Sequence, residues 1–513
     1  MLQESRTRKT FLNARVNLIF YFLTLLLSFF SRKIFLDILG ADFIGLTGTL
    51  QNLLGFLNIA ELGIGTAIGY VLYKPLFQKD QDKINEIVSV LGYMYRWVGK
   101  IILLSGLILS LFLPLIFPDT RFNLIIIYTA YYAFLTSALI GYFVNYRQTL
   151  LSADQKNYVV TAYFQTANIL KTIIQLFVAF YTRNYYLWIV IEFIYVLIYT
   201  SILNWKINKV YPWLKSDVKK GKELYNKYPQ IIKNTKQIFV HKIGAIVQFQ
   251  LTPFLVYAYV SLHTVAFYGN YSLIIDKINV LLGNFLDSTA AGIGNLIVEG
   301  NKKNILKVYW ELLSIRFFCV GVITISLYHI VPVFIEIWLG KEYVLSNSIL
   351  IFVLFIFCLN TLRGTTDQFI NGYGLFYDIW SPIAESVIFF IVAIIGGSLC
   401  GLEGILLGNV LSLTLIIHTW KPYFLFTKGF KISIWNYYFN FGKLTLLSGL
   451  AFYTYIYIQK QINFILLDDV NWKSLFLYSI NTFTLVFIIN FLYLYIGFKG
   501  MRNFIHRIVN SLK

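Results

Sequence analysis

Apolar runs of about 20 residues, separated by short polar or basic breaks, recur through the whole chain. At helical rise, a run of that length matches the hydrocarbon core of a bilayer. Reading each run as a helix predicts about fourteen spans: 16–38, 43–73, 98–117, 122–147, 158–181, 185–205, 238–261, 265–298, 315–338, 345–373, 380–400, 402–421, 442–459 and 475–498. Residues 206–237 interrupt the pattern with clustered lysines around Pro212, Gly221 and Pro229. The chain therefore reads as an all-α polytopic membrane protein of two six-helix lobes plus two C-terminal helices. The expected parts are an N-terminal lobe at 1–205, a basic cytoplasmic linker at 206–237, a C-terminal lobe at 238–421, and two spans with a basic tail at 422–513. An internal echo supports two halves: Gly45, Ile68 and Gly69 recur as Gly269, Ile293 and Gly294, and Lys83-Ile84 recurs as Lys307-Val308, offset by 224 to 225 residues.

Polar residues inside the spans fall at helical spacing and so share faces. In the second span Gln51, Asn58, Glu61, Gly65 and Gly69 lie near one stripe, and a carboxylate at that depth has no lipid-facing explanation. The fifth carries Gln165, Asn168, Lys171 and Gln175, with Lys171 near the midplane and Glu192 of the sixth span as a candidate partner. In the eighth, Asp276, Gly283 and Asp287 form one line, and Lys277, Asn284 and Ser288 form a second. The tenth draws a stripe of Asn360, Arg363, Asp367 and Asn371, in which Arg363 and Asp367 are four apart and can pair. A guanidinium held in a bilayer is equally well shaped for a phosphate. Arg32 closes the first span, where it either enters a cavity or snorkels to the interface. A short surface helix is expected over 74–97, where charges alternate with apolar positions.

Composition agrees: 58% of residues are hydrophobic, 13% are charged, and mean hydropathy is +0.67. A net charge of +19 could suggest nucleic acid, but the basic residues follow loop parity and form no single face or arm. With the amino terminus inside, seven of the 43 Lys and Arg fall outside (Arg32, Lys33, Arg121, Arg183, Lys341, Lys460, Lys473), three remain in spans, and cytoplasmic segments hold 33. That asymmetry predicts both termini in the cytoplasm. The first apolar run follows Arg6, Arg8, Lys9 and Arg15 with no small-residue cleavage pattern, so it is expected to remain as the first span. Cys319, Cys358 and Cys400 are far apart, the five histidines show no metal spacing, and no G-x-x-x-x-G-K-[ST] occurs. No metal, cofactor, disulfide or nucleotide-driven step is expected. External loops are too short for a catalytic domain, which argues against a membrane glycosyltransferase or polymerase.

The stretch FLDILGADFIGLTGTLQNLLGFLNIAELGIGTAIGYVLYKPL, with R-K-I-F-L-x-x-L-G at Arg32 to Gly40 and E-L-G-I-G at Glu61 to Gly65, resembles the polysaccharide-transporter (Wzx-type flippase) branch of the MOP superfamily. That superfamily also holds the MATE exporters and MurJ lipid II flippases. The resemblance covers most of the chain, including the fourteen-span plan. It implies two lobes around a cleft in a bacterial cytoplasmic (inner) membrane, moving undecaprenyl-diphosphate-linked oligosaccharide by alternating access. The implied partners are membrane lipid, the polyprenyl-diphosphate-linked cargo, glycosyltransferases and a polysaccharide polymerase. Substrate-binding candidates are Lys171, Lys277, Arg363, Arg32, Asn284 and Asn360; candidate cavity carboxylates for ion coupling are Glu61, Asp276, Asp287 and Asp367. A lipid II flippase and a cation-coupled small-molecule exporter are the alternatives.

Overall fold

The computed structural model describes the chain except for residues 1–5, 62, 119, 155, 287–292, 294–295, 298, 376, 463–470 and 513. Among the described residues, every regular element is a helix, and nine helices are long and apolar enough to cross a membrane. Where they are described, the expected spans are largely helical. The protein is an all-α, multi-pass membrane protein. Helices below that apolarity include Asn157–Thr182 and Leu262–Leu286, which carry two of the polar stripes.

Contacts divide the chain into two compact units, 1–266 and 267–513. The principal helices of the first are α1 (Arg6–Leu39), α2 (Ala41–Leu57), α3 (Ile64–Gln78), α4 (Gln81–Leu111), α5 (Leu124–Phe143), α6 (Asn157–Thr182), α7 (Tyr185–Val210), α8 (Val218–Leu224) and α9 (Pro229–Tyr259). Helix α1 lies along α6, α6 and α5 both pack on α7, α4 packs on α5, and α9 covers α2 and α3.

Three elements differ from the reading of the sequence, two of them in the first unit. The expected second span, 43–73, is not one helix. It breaks after Leu57 into a short 3-10 turn, Asn58–Glu61, and α3 restarts after Gly63, whose φ of 91° is a left-handed value that glycine adopts without strain. The expected surface helix at 74–97 is not separate from the third span. Lys79 ends α3 with φ 56°, Asp80 caps α4 by accepting from the Lys83 amide at 3.0 Å, and α4 then runs 31 residues without a break. Its buried stripe of Ile84, Ile87, Val88, Leu91, Tyr95, Val98 and Ile102 keeps one inward face across both expected segments.

The lysine-rich segment is folded against the first unit, and α9 beyond it packs there too. Helix α8 lies on the first turns of α4. There the Lys215 amide donates to Asn85 Oδ1 (2.8 Å) and the Asp217 amide to Ser89 Oγ (2.9 Å), while Lys227 Nζ and the Tyr228 hydroxyl both reach Glu86 (2.8 and 2.6 Å). Gly221 makes the approach possible, since a Cβ there would stand 2.2 Å from the Ser89 carbonyl oxygen.

In the second unit, α10 (Leu262–Leu286, beginning just before the division) is followed by α11 (Lys302–Trp338), α12 (Asn347–Gly372), α13 (Trp380–Cys400), α14 (Leu402–Phe430), α15 (Trp435–Ile462), α16 (Trp472–Gly497) and α17 (Lys499–Leu512). Helix α11 is the hub, packing on α12, α15, α16 and α17. Tyr309 on α11 meets Phe369, Phe426 and Phe430 edge-on at 5.3–5.4 Å. Sequence reading ends the twelfth span at Lys421 before Pro422; instead the helix continues to Phe430, with π winding at Leu413–Trp420 and Leu425–Phe430. A proline inside an α-helix clashes with the carbonyl four residues back, and the wider turn just before Pro422 bonds the Lys421 amide to Ile416 five residues back. Helices α13 and α14 pack closest through Gly396 and Gly404; a Cβ on Gly404 would meet the Gly396 carbonyl oxygen.

Two expectations follow. Gly221→Val should lift α8 from α4, because the obstructing atom is backbone; an overpacking cost of about 1–3 kcal/mol raises local opening roughly tenfold. Trypsin should then cut the lysine-rich segment of the purified protein about tenfold faster than in wild type, and an unchanged cleavage rate would refute the docking. Gly404→Ala and Gly442→Ala make the same change in helices, and propensity favours both by about 1 kcal/mol. Gly442 has open space around it, so that variant should be neutral or stabilising in a thermal melt, whereas Gly404→Ala should lower the midpoint; equal shifts would count against the close crossing.

Candidate functional site

The second unit contains a polar cleft of about 470 Å³ within its helices. Helix α10 contributes Asn279, Leu282, Gly283 and Leu286; α11 contributes Arg316; α12 contributes Asn360, Thr361, Arg363, Gly364, Asp367, Gln368 and Asn371. The α12 set repeats at three- and four-residue spacing, so one helical face supplies it. Arg363 is roughly 24 Å along α12 from its N-terminal end, and Arg316, near the start of the expected span 315–338, meets α12 at the level of Thr361 and Gly364. The Arg316 side chain is buried and donates from Nη1 to the Thr361 carbonyl at 3.0 Å. Its guanidinium lies where a side chain at Gly364 would be, since a Cβ there would fall 2.4 Å from Nη1.

Arg363 joins a charged network at the edge of this cleft. Its Nε donates to Asp367 Oδ2 at 2.9 Å, and its Nη1 stands 3.8 Å from Glu385 Oε1 of α13, an ion-pair contact too long for a hydrogen bond. Asp367 uses its other oxygen for Lys421 Nζ of α14, at 3.2 Å. Among the described residues, three cations (Arg316, Arg363, Lys421) and two carboxylates (Asp367, Glu385) meet in this region. Close by, His418 Nε2 lies 2.8 Å from the Leu359 carbonyl, which ties the π-wound stretch of α14 to α12.

The first unit holds its buried charge differently. Lys171 Nζ pairs with Glu192 Oε1 at 2.9 Å and sits 4.8 Å over the Tyr195 ring, and Gln175 Nε2 donates to the other oxygen of Glu192 at 3.1 Å. The expected polar stripe on α6 is therefore organised around one carboxylate of α7. At the α2–α3 break, Glu61 Oε1 accepts from the Tyr95 hydroxyl at 2.5 Å and its Oε2 from Tyr142 at 3.1 Å; the Tyr142 hydroxyl is also 3.1 Å from Asn58 Oδ1. A carboxylate with only acceptors is satisfied there by two hydroxyls, with no cation against it among the described residues. Arg32 donates from Nη2 to the Ala266 carbonyl at 2.9 Å.

Among the candidates from sequence, Asn360, Arg363 and Asp367 share the cleft of the second unit. Asp276 is exposed and Lys277 half-buried on α10, whose contribution to the cleft is the face carrying Asn279 and Gly283. Asp287 and the Asn284 side chain lie outside the described residues. Sequence reading missed Arg316, Asn279, Glu385 as a partner of Arg363, and Lys421. Arg316 was legible: it occupies the buried stripe Ile305, Tyr309, Leu313, Val320 of α11, and a charge on an apolar stripe points inward. Lys421 was not, since only the continuation of helix past Pro422 places it opposite Asp367. Among the described residues, no group of three or more His, Cys, Asp or Glu side chains is placed to hold a metal ion.

No family model and no curated protein sequence matches the chain. Solved structures do. The chain is similar to the lipid II flippase MurJ in its inward closed conformation, at TM-score 0.65 and 16% identity over 93% of this chain and 98% of that one. It is also similar to an inward-facing multidrug resistance MATE family transporter of the MOP superfamily, at TM-score 0.62 and 14% identity over 81% of this chain and 98% of that one. At these identities the shared property is the fold, which the protein has in common with a flippase and a transporter along nearly their whole lengths.

Proposed function

We propose that the protein is a flippase that carries an undecaprenyl-diphosphate-linked oligosaccharide from the cytoplasmic to the external leaflet of a bacterial cytoplasmic membrane, by alternating access of two lobes. Glycosyltransferases would build the cargo inside, and a polymerase would consume it outside, in assembly of a surface polysaccharide. The observation that carries this reading is the convergence of Arg316 and Arg363 on one polar cleft within membrane-spanning helices. Ionisable residues at such depth mark substrate or ion pathways. A diphosphate suits two guanidinium forks, each able to give parallel charge-assisted hydrogen bonds. Asp367 holds Arg363 through Nε, while the Nη edge makes only the long contact to Glu385. An arriving phosphate can displace Glu385 without breaking the Arg363–Asp367 bond. Asn279, Asn360 and Asn371 supply donors and acceptors for sugar hydroxyls. Asp367 is the carboxylate in this cleft through which ion binding could couple to cargo release. A lipid II flippase would use the same diphosphate chemistry, and the sugar carried by the accumulating lipid distinguishes the two; a small-molecule exporter would have no use for the paired arginines.

Two experiments test the site. Outer-leaflet lipid-linked sugar is measured in cells expressing Arg363→Gln, Arg363→Lys, Asp367→Asn and the Arg363→Gln/Asp367→Asn double variant. Loss of one charged hydrogen bond, about 1.5–3 kcal/mol, should reduce transport by Arg363→Gln at least tenfold at normal membrane levels. Arg363→Lys should retain part, since charge survives without the fork. Full transport by the double variant would make the pair structural and remove Arg363 from cargo binding. Gly364→Ala is a finer probe: the atom in its way is the end of the flexible Arg316 side chain, so the protein should fold and melt normally with Arg316 displaced. Transport should drop several-fold, and wild-type transport would exclude Arg316 from the reaction path.

A further inference from the structure

The docking of α8 on α4 builds a second basic site, at the opposite chemical extreme from the lipid-facing surface beside it. A cleft of about 270 Å³ lies between the two helices, lined by Tyr93, Arg96, Trp97 and Lys100 of α4 and by Val218, Lys219 and Lys222 of α8. Arg96 and Lys100 are four apart on one helix, Lys219 and Lys222 three apart on the other, so each helix turns a pair of cations to the shared space. No carboxylate lines it, and none of the four cations has an ion-pair partner among the described residues. Lys100 instead stands 5.6 Å from the Trp97 ring centroid.

Its depth is set by α4. On the N-terminal side of Trp97 the exposed positions include Gln81, Asp82, Lys83 and Arg96; on the C-terminal side they include Ile101, Leu104, Ile108 and Leu111 at four- and three-residue spacing. The exposed face thus changes from charged to apolar just past Trp97 and Lys100, with Trp97 itself 55% exposed. An exposed tryptophan at such a change marks the membrane–water interface, where headgroup phosphates lie. We propose that this cleft binds the phosphate of an anionic phospholipid headgroup, with Trp97 and the apolar face below it receiving the glycerol backbone and the first part of the acyl chains. Basic pockets of this kind at the membrane surface select anionic lipids, and each lysine strengthens the attraction. Because two of its four cations arrive on α8, the site exists only while the lysine-rich segment is docked. The bound lipid in turn holds that segment to the first unit.

The test uses the full-length protein purified in detergent, with native mass spectrometry reading retained lipid after titration with phosphatidylglycerol or phosphatidylcholine. Wild type should retain one phosphatidylglycerol about tenfold more tightly than phosphatidylcholine, and Lys219→Gln/Lys222→Gln should lose that preference. A control with the same charge loss, Lys302→Gln/Lys303→Gln at exposed positions of α11, should keep it. Inorganic phosphate at roughly tenfold excess over the lipid should leave the lipid bound, because it lacks the apolar contacts; displacement by phosphate would mean a free-anion site and overturn the lipid assignment. Equal retention of the two lipids by wild type, or an undiminished preference in Lys219→Gln/Lys222→Gln, would overturn the proposal. These residues are exposed and lie outside the transport cleft, so thermal melts of the variants should match wild type.

Discussion

Asp367 stands between two cations, and the polar interior of the second unit depends on that arrangement. One oxygen holds Arg363 on its own helix, and the other holds Lys421 on α14. In a span, a lone charge is expensive, and breaking a buried pair by removing one partner costs about 3–5 kcal/mol. Asp367 is a quarter exposed, so its share is smaller, but its loss would leave two cations facing each other. The contact therefore fixes the register of α12 against α14. The π winding of α14 belongs to the same constraint, since it lets the helix pass Pro422 with Lys421 still aimed at α12.

The two units treat buried charge in opposite ways. In the first, Lys171 and Glu192 form a neutral pair with Gln175 on the spare oxygen, and Glu61 is quenched by two tyrosine hydroxyls. Nothing in either cluster leaves a surplus of positive charge for an anion. In the second, among the described residues, cations outnumber carboxylates around a cleft that also offers amides.

Hydrophobic periodicity exposed the spans because a bilayer forces every spanning segment to satisfy its own backbone, and the helix is the local way to do so. The stripe Asn360, Arg363, Asp367, Asn371 was legible for the same reason: four polar residues on one face of α12 cannot all meet lipid. What escaped were features set by tertiary contact or by winding. The break at Asn58–Glu61 needed Tyr95 and Tyr142 from other helices to satisfy the carboxylate. The merger of 74–97 with the third span was hidden because charges near Gln81–Lys83 signal a surface while the buried stripe continues beneath them. On α10, lines drawn through Asp276 and Lys277 marked polar faces, but the face that meets α12 is the one with Asn279 and Gly283.

The internal repeat reaches further than glycines and helix starts. Glu86 and Ser89 of α4 recur 225 residues later as Glu311 and Ser314 of α11, all near the beginning of a long helix. Glu86 is gripped by Lys227 and Tyr228, just beyond α8. Glu311 is buried, with Arg507 Nη2 of α17 at 2.7 Å, close enough for an ion pair though not in line for a hydrogen bond. In each unit the grip comes from a basic segment at or just beyond a short helix, and a glycine of that helix approaches a backbone carbonyl of the long helix: Gly221 at Ser89, Gly500 at Trp310. A free basic segment has little reason to lie against a protein, since exposed ion pairs contribute at most about 1 kcal/mol. A glycine contact combined with a carboxylate anchor supplies shape as well as charge. The lysine-rich segment is therefore as much a structural element of the first unit as α17 is of the second.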